Sequence, residues 1–326
     1  MRVPGTATAI AHPNIALIKY WGKRDDGRNL PAVGSLSITL DAMRSRTTVS
    51  FQAGRAADSV VLNGRADAVA TRRARICLDW LRQRAGVEHG ALVNSTNDFP
   101  TGAGLASSAS GFAALVTAAA AALGLDLPLA DRVEVARLGS GSAPRSLFGG
   151  FAVLRNLPDG GVCCEPWLAA DAWPLRVIIA VTSVAAKAVD SRDGMNQSRD
   201  TSPYFAAWVS SHEADLNAGL DCVRRRDFAA LAELAEHSCL KMHAVMMATR
   251  PPLIYWTPAT LACLQAVREL RRTGTEVFFT IDAGPQVKAV CTPAAAPLVK
   301  AALAAVPGVT GIIDSGPGPG ACLSDD

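Results

Sequence analysis

The tightest constraint on how this chain folds lies at residues 100–109, PTGAGLASSA, which run straight into GFAALVTAAAAALGL at 111–125. The second stretch is mostly alanine, so it reads as a buried helix of about 109–123, stopped by Gly124. Glycines before such a helix let the backbone approach a ligand closely. The helix start offers unpaired N–H groups and the positive end of its dipole, which together favour an anion. Ser107 and Ser108 add hydroxyls at the first turn. No Gly-Lys-Ser/Thr follows the glycines, so this is not the common phosphate loop. As a bare Gly/Ser loop, it reads better as a tight turn with serine as N-cap.

Around this point, β-rich runs alternate with Ala/Leu-rich runs, as in an α/β or α+β protein. Residues 37–51 read as strands, and 70–86 as an amphipathic helix with Ile76, Leu78, Trp80 and Leu81 on its apolar face. RSLFGGFAVL (145–154) reads as a strand with a glycine bulge, and PLRVIIAVTSV (174–184) as the clearest buried strand. Helices are expected around 203–219, 226–248 and 294–305, with strands at 276–284, 285–292 and near 311–320. A lobe boundary falls near 170–185.

The chain has 326 residues, 49% apolar and 19% charged, with a formal net charge of +3. That surplus predicts neither a nucleic-acid nor a membrane partner. The first residues lack the apolar core and cleavage region of a signal peptide, and no apolar run is long enough to span a bilayer. The eight cysteines are scattered without Cys-x-x-Cys, as expected of reduced thiols in a cytoplasmic protein. The five histidines are dispersed, so structural zinc has little support.

The order Pro100, Gly102, Gly104, Leu105, Ser107, Ser108 resembles the ATP-binding motif of the galactokinase, homoserine kinase, mevalonate kinase and phosphomevalonate kinase superfamily. NIALIKYWGKRD (14–25) resembles, almost letter for letter, the signature of its mevalonate diphosphate decarboxylase family. GSGSAPRSLFGGF (139–151), SRDGMNQSRDTSPYF (191–205) and FFTIDAGPQV (278–287) follow in that family's order, with a weaker likeness at 242–256. The resemblance spans nearly the whole chain. Asp98, Gly102, Pro144 and Gln286 depart from the usual pattern; Pro144 could stiffen the turn beside Arg145, and Gln286 could alter how the Asp282 loop is held.

The resemblance implies an α+β, two-lobed small-molecule-kinase superfamily fold. Its N-terminal lobe, residues 1–180, would be like domain 2 of ribosomal protein S5 and would bind ATP. A ferredoxin-like α/β C-terminal lobe would occupy 181–326, with the active site between the lobes. The implied reaction is ATP-dependent decarboxylation of mevalonate 5-diphosphate to isopentenyl diphosphate, ADP, phosphate and CO2, a step of isoprenoid biosynthesis. A tertiary hydroxyl leaves poorly. Its phosphate leaves well, and the carboxylate then collapses toward the developing cation at C3.

By resemblance Asp282 orients or deprotonates that hydroxyl. Lys19 is the cation that keeps it ionised, and Arg145 holds the substrate carboxylate or phosphate. Without the resemblance, Asp282 reads as a carboxylate capping its own turn. Asn14, Ser140, Gly141 and Ser142 would bind substrate. Tyr20, Lys23, Ser191 and Arg192 match positions that gather its diphosphate. Lys187 matches a loop lysine that reaches nucleotide phosphates, and a polar loop of about 185–203 suits a closing lid. Mg²⁺ should bridge the ATP phosphates; its protein ligands are not evident, and the Ser107 and Ser108 hydroxyls are no more than candidates. Trp21 and His243 read as core residues rather than ligands.

The family resemblance also implies a homodimer. Rival readings are a mevalonate 3-kinase, a decarboxylase of mevalonate 5-phosphate, a kinase for another alcohol such as homoserine, and a silent nucleotide-binding paralogue. Lys19 and Asp282, with cations at Lys23 and Arg192, favour the diphosphate decarboxylase over the first two, KYWGK speaks against the third, and retention of Asp282, Arg145 and the Gly/Ser loop against the last.

Overall fold

The computed structural model describes residues 5–99, 105–183, 185 and 187–324. The first third is strand-rich: β1 (Thr6–Ala11), β2 (Asn14–Ile18), β3 (Lys23–Asp25), β4 (Leu30–Pro31), β5 (Ser35–Thr39), β6 (Ser45–Phe51), β7 (Ser59–Leu62) and β8 (Arg65–Ala66). Helix α1 (Ala68–Ala85), β9 (Ala91–Asn97), α2 (Ser107–Ala122), α3 (Leu129–Gly139) and a 3-10 turn, Ala143–Leu147, come next. β10 (Phe151–Asn156), β11 (Val162–Leu168) and β12 (Arg176–Val181) lead into α4 (Ser191–Thr201), α5 (Phe205–Arg225), α6 (Phe228–Met247) and α7 (Pro258–Arg272). β13 (Val277–Thr280), β14 (Val287–Cys291), α8 (Ala296–Ala304), β15 (Gly311–Ser315) and β16 (Cys322–Ser324) complete a mixed α+β architecture.

Three larger sheets and the two-stranded pair β3-β4 organise these elements. The largest runs β16-β1-β6-β9-β7-β8. β6 alternates buried and half-buried residues along its length, so one face belongs to a core. That face meets α1 and α2. Ala113, Ala114, Ala118 and Ala119 are fully buried in α2; their small side chains let the helix lie close against β1 and β6. The second sheet, β11-β10-β5-β2, is antiparallel, and β2 and β5 are buried at every residue. The third is β13-β14-β12-β15, also antiparallel. α6 packs on both β2 and β13 and so joins the second sheet to the third. The last strand, β16, returns to the first sheet beside β1.

Several local expectations change. The buried face of α1 is Ala74, Cys77, Leu78 and Leu81, while Ile76 is exposed. The stretch 145–154 is not one strand: its first part is the 3-10 turn, and β10 starts only after Gly150. Gly150 has φ 64°, and a Cβ there would come 2.4 Å from the Leu168 carbonyl oxygen, so the chain turns where an extended strand cannot run. The polar segment around 185–203 is helical over α4, because Asp190 caps it by accepting from the N–H groups of Arg192 and Asp193. α7 was not anticipated; it starts at a capping box of Thr257 and Thr260 with Pro258 at its first turn. β2 ends at Ile18, and Lys19, Tyr20 and Trp21 follow it outside any strand.

Candidate active site

One half-buried carboxylate organises the site. β13 carries Asp282 just past its end, in a turn closed by Gly284 N–H donating to the Asp282 carbonyl at 2.7 Å. Lys19, just past the end of β2, donates from Nζ to Asp282 Oδ1 at 2.6 Å. Lys288 on β14 places its Nζ 3.2 Å from Oδ2. Both lysines are 1% exposed, whereas Asp282 keeps a quarter of its side chain accessible. Burial raises the Asp282 carboxyl pKa, but the two ammonium charges outweigh it and hold the group far below the usual carboxylate range. Beneath this pair, α6 supports both partners. Ser238 Oγ accepts from Lys19 N–H at 3.0 Å, and Cys239 Sγ accepts from Ile281 N–H at 3.2 Å. His243 lies 3.3 Å from the Ile281 carbonyl oxygen. Burial and then the Lys19 charge hold the His243 imidazole down at about 3, so it is neutral.

Asp282 faces a cavity of about 420 Å³. Arg145 reaches it from the 3-10 turn, 2% exposed. Its Nε donates to Asn14 Oδ1 at 3.1 Å and its Nη1 to Ser35 Oγ at 2.8 Å. Asn14 is held in turn by donating to Ser146 Oγ at 2.8 Å and to the Ser142 carbonyl at 3.2 Å. The guanidinium is thus fixed along one edge, with further donors remaining for a planar anion. Pro144, at the start of this turn, presets its backbone. Gly141 admits the Tyr20 hydroxyl: a Cβ at 141 would sit 2.2 Å from that oxygen. The Tyr20 hydroxyl is buried without a hydrogen-bond partner among the described residues. Burial pushes its pKa up to about 12, so it stays protonated and can donate.

Ser140 lies 3.3 Å from Ser108 Oγ and 3.2 Å from Ser142 Oγ, which links the α3 loop to the first turn of α2. Ala106, φ 58°, precedes that helix and provides no side-chain cap, and Ser107 and Ser108 line the cavity. Lys23, Ser191, Arg192 and Lys187 line it too, and Lys187 donates to Ser191 Oγ at 2.8 Å. Val60, Leu62, Ala70, Ala74, Val93 and Leu115 give the lining an apolar part, alongside Thr47, Ser95 and Asn97. Leu105 does not join the lining; it is 2% exposed and packs in the main core with Phe99. Pro100, Gly102 and Gly104 lie outside the described residues.

Residues 11–163 match the diphosphomevalonate decarboxylase-like N-terminal domain, and residues 177–309 match the mevalonate 5-diphosphate decarboxylase C-terminal domain. The chain belongs to the diphosphomevalonate decarboxylase family. The family's enzyme from Candida albicans is 38% identical over 302 residues, covering 86% of this chain and 82% of that one. The crystal structure of mevalonate diphosphate decarboxylase from Staphylococcus aureus aligns with TM-score 0.92 at 35% identity, covering 98% of each chain. A structure described as MDDEF in complex with MVAPP, AMPPCP and magnesium aligns with TM-score 0.90 at 38% identity, covering 98% of this chain and 99% of that one.

Reading this decarboxylase from its sequence missed Lys288, Ser238, Cys239 and Arg73. Arg73, on α1, lines the cavity and donates to the Gly139 carbonyl at 3.1 Å. Its only signal was one arginine among several in an amphipathic helix. Trp21, set aside as core, is 1% exposed and yet touches the cavity wall. His243 is core, as expected. Gln286 is buried and binds Thr182 N–H through Oε1 at 2.7 Å, so it secures the segment that leaves β12 rather than Asp282 itself. Among the described residues no three His, Cys, Asp or Glu side chains gather as a metal site. A magnesium ion carried by phosphates needs few protein ligands, and the Ser107 and Ser108 hydroxyls at the helix start fit that demand.

Proposed function

We propose that the chain performs the ATP-dependent decarboxylation of mevalonate 5-diphosphate, yielding isopentenyl diphosphate, ADP, phosphate and CO2. The observation that carries this reading is one ionised carboxylate, Asp282, facing a cavity that has a guanidinium at its side and a helix start beyond. In this reading the apolar part of the lining takes the nucleoside of ATP, and the first turn of α2 with Ser107 and Ser108 receives its phosphates. Those two hydroxyls would hold Mg²⁺, which, when bound, neutralises charge between the phosphates. Lys187 reaches the nucleotide phosphates.

Arg145 holds the substrate carboxylate, oriented by Asn14, while Ser140, Gly141 and Ser142 close around the substrate. Tyr20, Lys23, Ser191 and Arg192 gather the diphosphate. Asp282, kept ionised by Lys19, accepts a hydrogen bond from the C3 hydroxyl and aligns its oxygen for attack on the terminal phosphate of ATP. Phosphate leaves C3 with the C–O bonding pair, and the electron pair of the C1–C2 bond fills the developing cation as the C2–C3 double bond forms and CO2 departs, so no electron-sink cofactor is required.

The two-lobe division at residue 180 is supported by the separate sheets, with two qualifications: β12 pairs within the third sheet, and β16 pairs within the first. A homodimer, a cytoplasmic location and a place in isoprenoid biosynthesis complete the reading. Among the described residues no helix is long and apolar enough to cross a membrane.

A coupled assay with ATP, Mg²⁺ and mevalonate 5-diphosphate should show ADP and CO2 in equal amounts. ADP without CO2 would assign a 3-kinase, and turnover of mevalonate 5-phosphate in preference to the diphosphate would assign the other decarboxylase. Asp282→Asn should keep ATP affinity while kcat falls about 10²–10⁴-fold. An unchanged kcat removes Asp282 from this role.

A further inference from the structure

Trp21 stands between Tyr20 and Lys23, yet the reaction as read above makes no use of it. Its indole N–H donates to Ser198 Oγ at 2.9 Å in a fully buried bond. Its carbonyl accepts the Trp208 indole N–H at 3.1 Å. Its ring lies against Gly194, where a Cβ would come 3.2 Å from a ring carbon. Gly194 and Ser198 are four residues apart and so share one face of α4. The first two residues of that helix are Ser191 and Arg192, both at the cavity.

α4 has little else to hold it by packing. Its sequence, SRDGMNQSRDT, contains one large apolar residue, Met195, and only Gly194, Met195 and Ser198 are buried. Directed contacts must therefore fix its position. Gln197 donates to the Pro251 carbonyl at 2.8 Å, and Thr201 accepts from Arg250 N–H at 2.9 Å. Both tie α4 to the segment after α6. The Trp21–Ser198 bond ties it to the stretch that carries Lys19, Tyr20 and Lys23. An undocked α4 would leave a buried indole N–H unpaired, which makes the bond a directional latch.

We propose that Trp21 is a positioning residue: it docks α4 through Ser198 and Gly194, so that Ser191 and Arg192 face Tyr20 and Lys23 across the cavity. This rests on the reading that those four residues gather the substrate diphosphate. Trp21 itself touches no reacting atom.

The test is steady-state ADP release by the wild type and by Ser198→Ala, Trp21→Phe and Arg192→Ala, with each substrate varied in turn. Ser198→Ala and Trp21→Phe should each raise KM for mevalonate 5-diphosphate about tenfold, with KM for ATP and saturating kcat within about threefold of wild type. An unchanged KM for the diphosphate in both overturns the proposal. So does a loss spread over both KM values together with a lowered melting temperature, since that marks general packing. If Trp21→Phe does not fold, Ser198→Ala decides alone. Arg192→Ala separates the two levels: a normal diphosphate KM there sinks the underlying site reading, whereas a raised KM there with silent Ser198→Ala and Trp21→Phe sinks only the docking.

Discussion

At the scale of single residues, the Lys19–Asp282–Lys288 cluster has a measurable signature. The folded-state pKa of Asp282 is depressed well below the value of about 3.9 expected in the unfolded chain. Its ionisation therefore contributes stability above that pH, which is lost as pH falls toward the folded value. Urea midpoints of the wild type should drop steeply from about pH 4 downward. Asp282→Asn, which lacks this titration, should show a shallower slope over the same range; equal slopes would deny the clamp. Asp282 and Lys19 were legible as partners because two family-like blocks contain them. Lys288 was not: it lies in VKAVC, within a stretch read only as a strand, and β14 is buried at every residue.

At the scale of elements, α1, α2, α5 and α6 were legible in the sequence, whereas α4 and the 15-residue α7 were not. α2 was legible because an alanine run after glycines leaves few alternatives to a close-packed helix. α4 was not, since its polar sequence resembles a loop until Asp190 caps it and Trp21 docks it. α7 had its own start signal in Thr257-Pro258, with Thr260 completing the capping box. Thr260 Oγ1 also donates to the Pro285 carbonyl at 2.8 Å, next to the Asp282 turn. Thr257→Ala should cost about 1 kcal/mol of stability in urea unfolding, with kcat within about twofold of wild type. A kcat loss much larger than that would mean that the cap also orders the turn.

At the scale of the whole molecule, the site exists because distant segments meet. Lys19 and Asp282 are 263 residues apart and are joined where α6 lies on both β2 and β13. The chain also doubles back, so that β16 pairs with β1 through Thr8–Ser324, Ala9–Leu323 and Ile10–Cys322. Removing residues 321–326 should expose β1 as a sheet edge, lower the melting temperature by several degrees and promote self-association, seen by light scattering. Unchanged melting would mean that the pairing contributes nothing to stability. The sequence by itself determined the reaction class, the family and most of the polar side chains around the cavity, because the chemistry requires particular side chains in short, ordered blocks. Only the tertiary structure decided which second lysine faces Asp282, that Leu105 belongs to the core, and that Trp21 latches a polar helix. Burial and pairing between segments far apart in the chain set those three outcomes, and no local pattern encodes them.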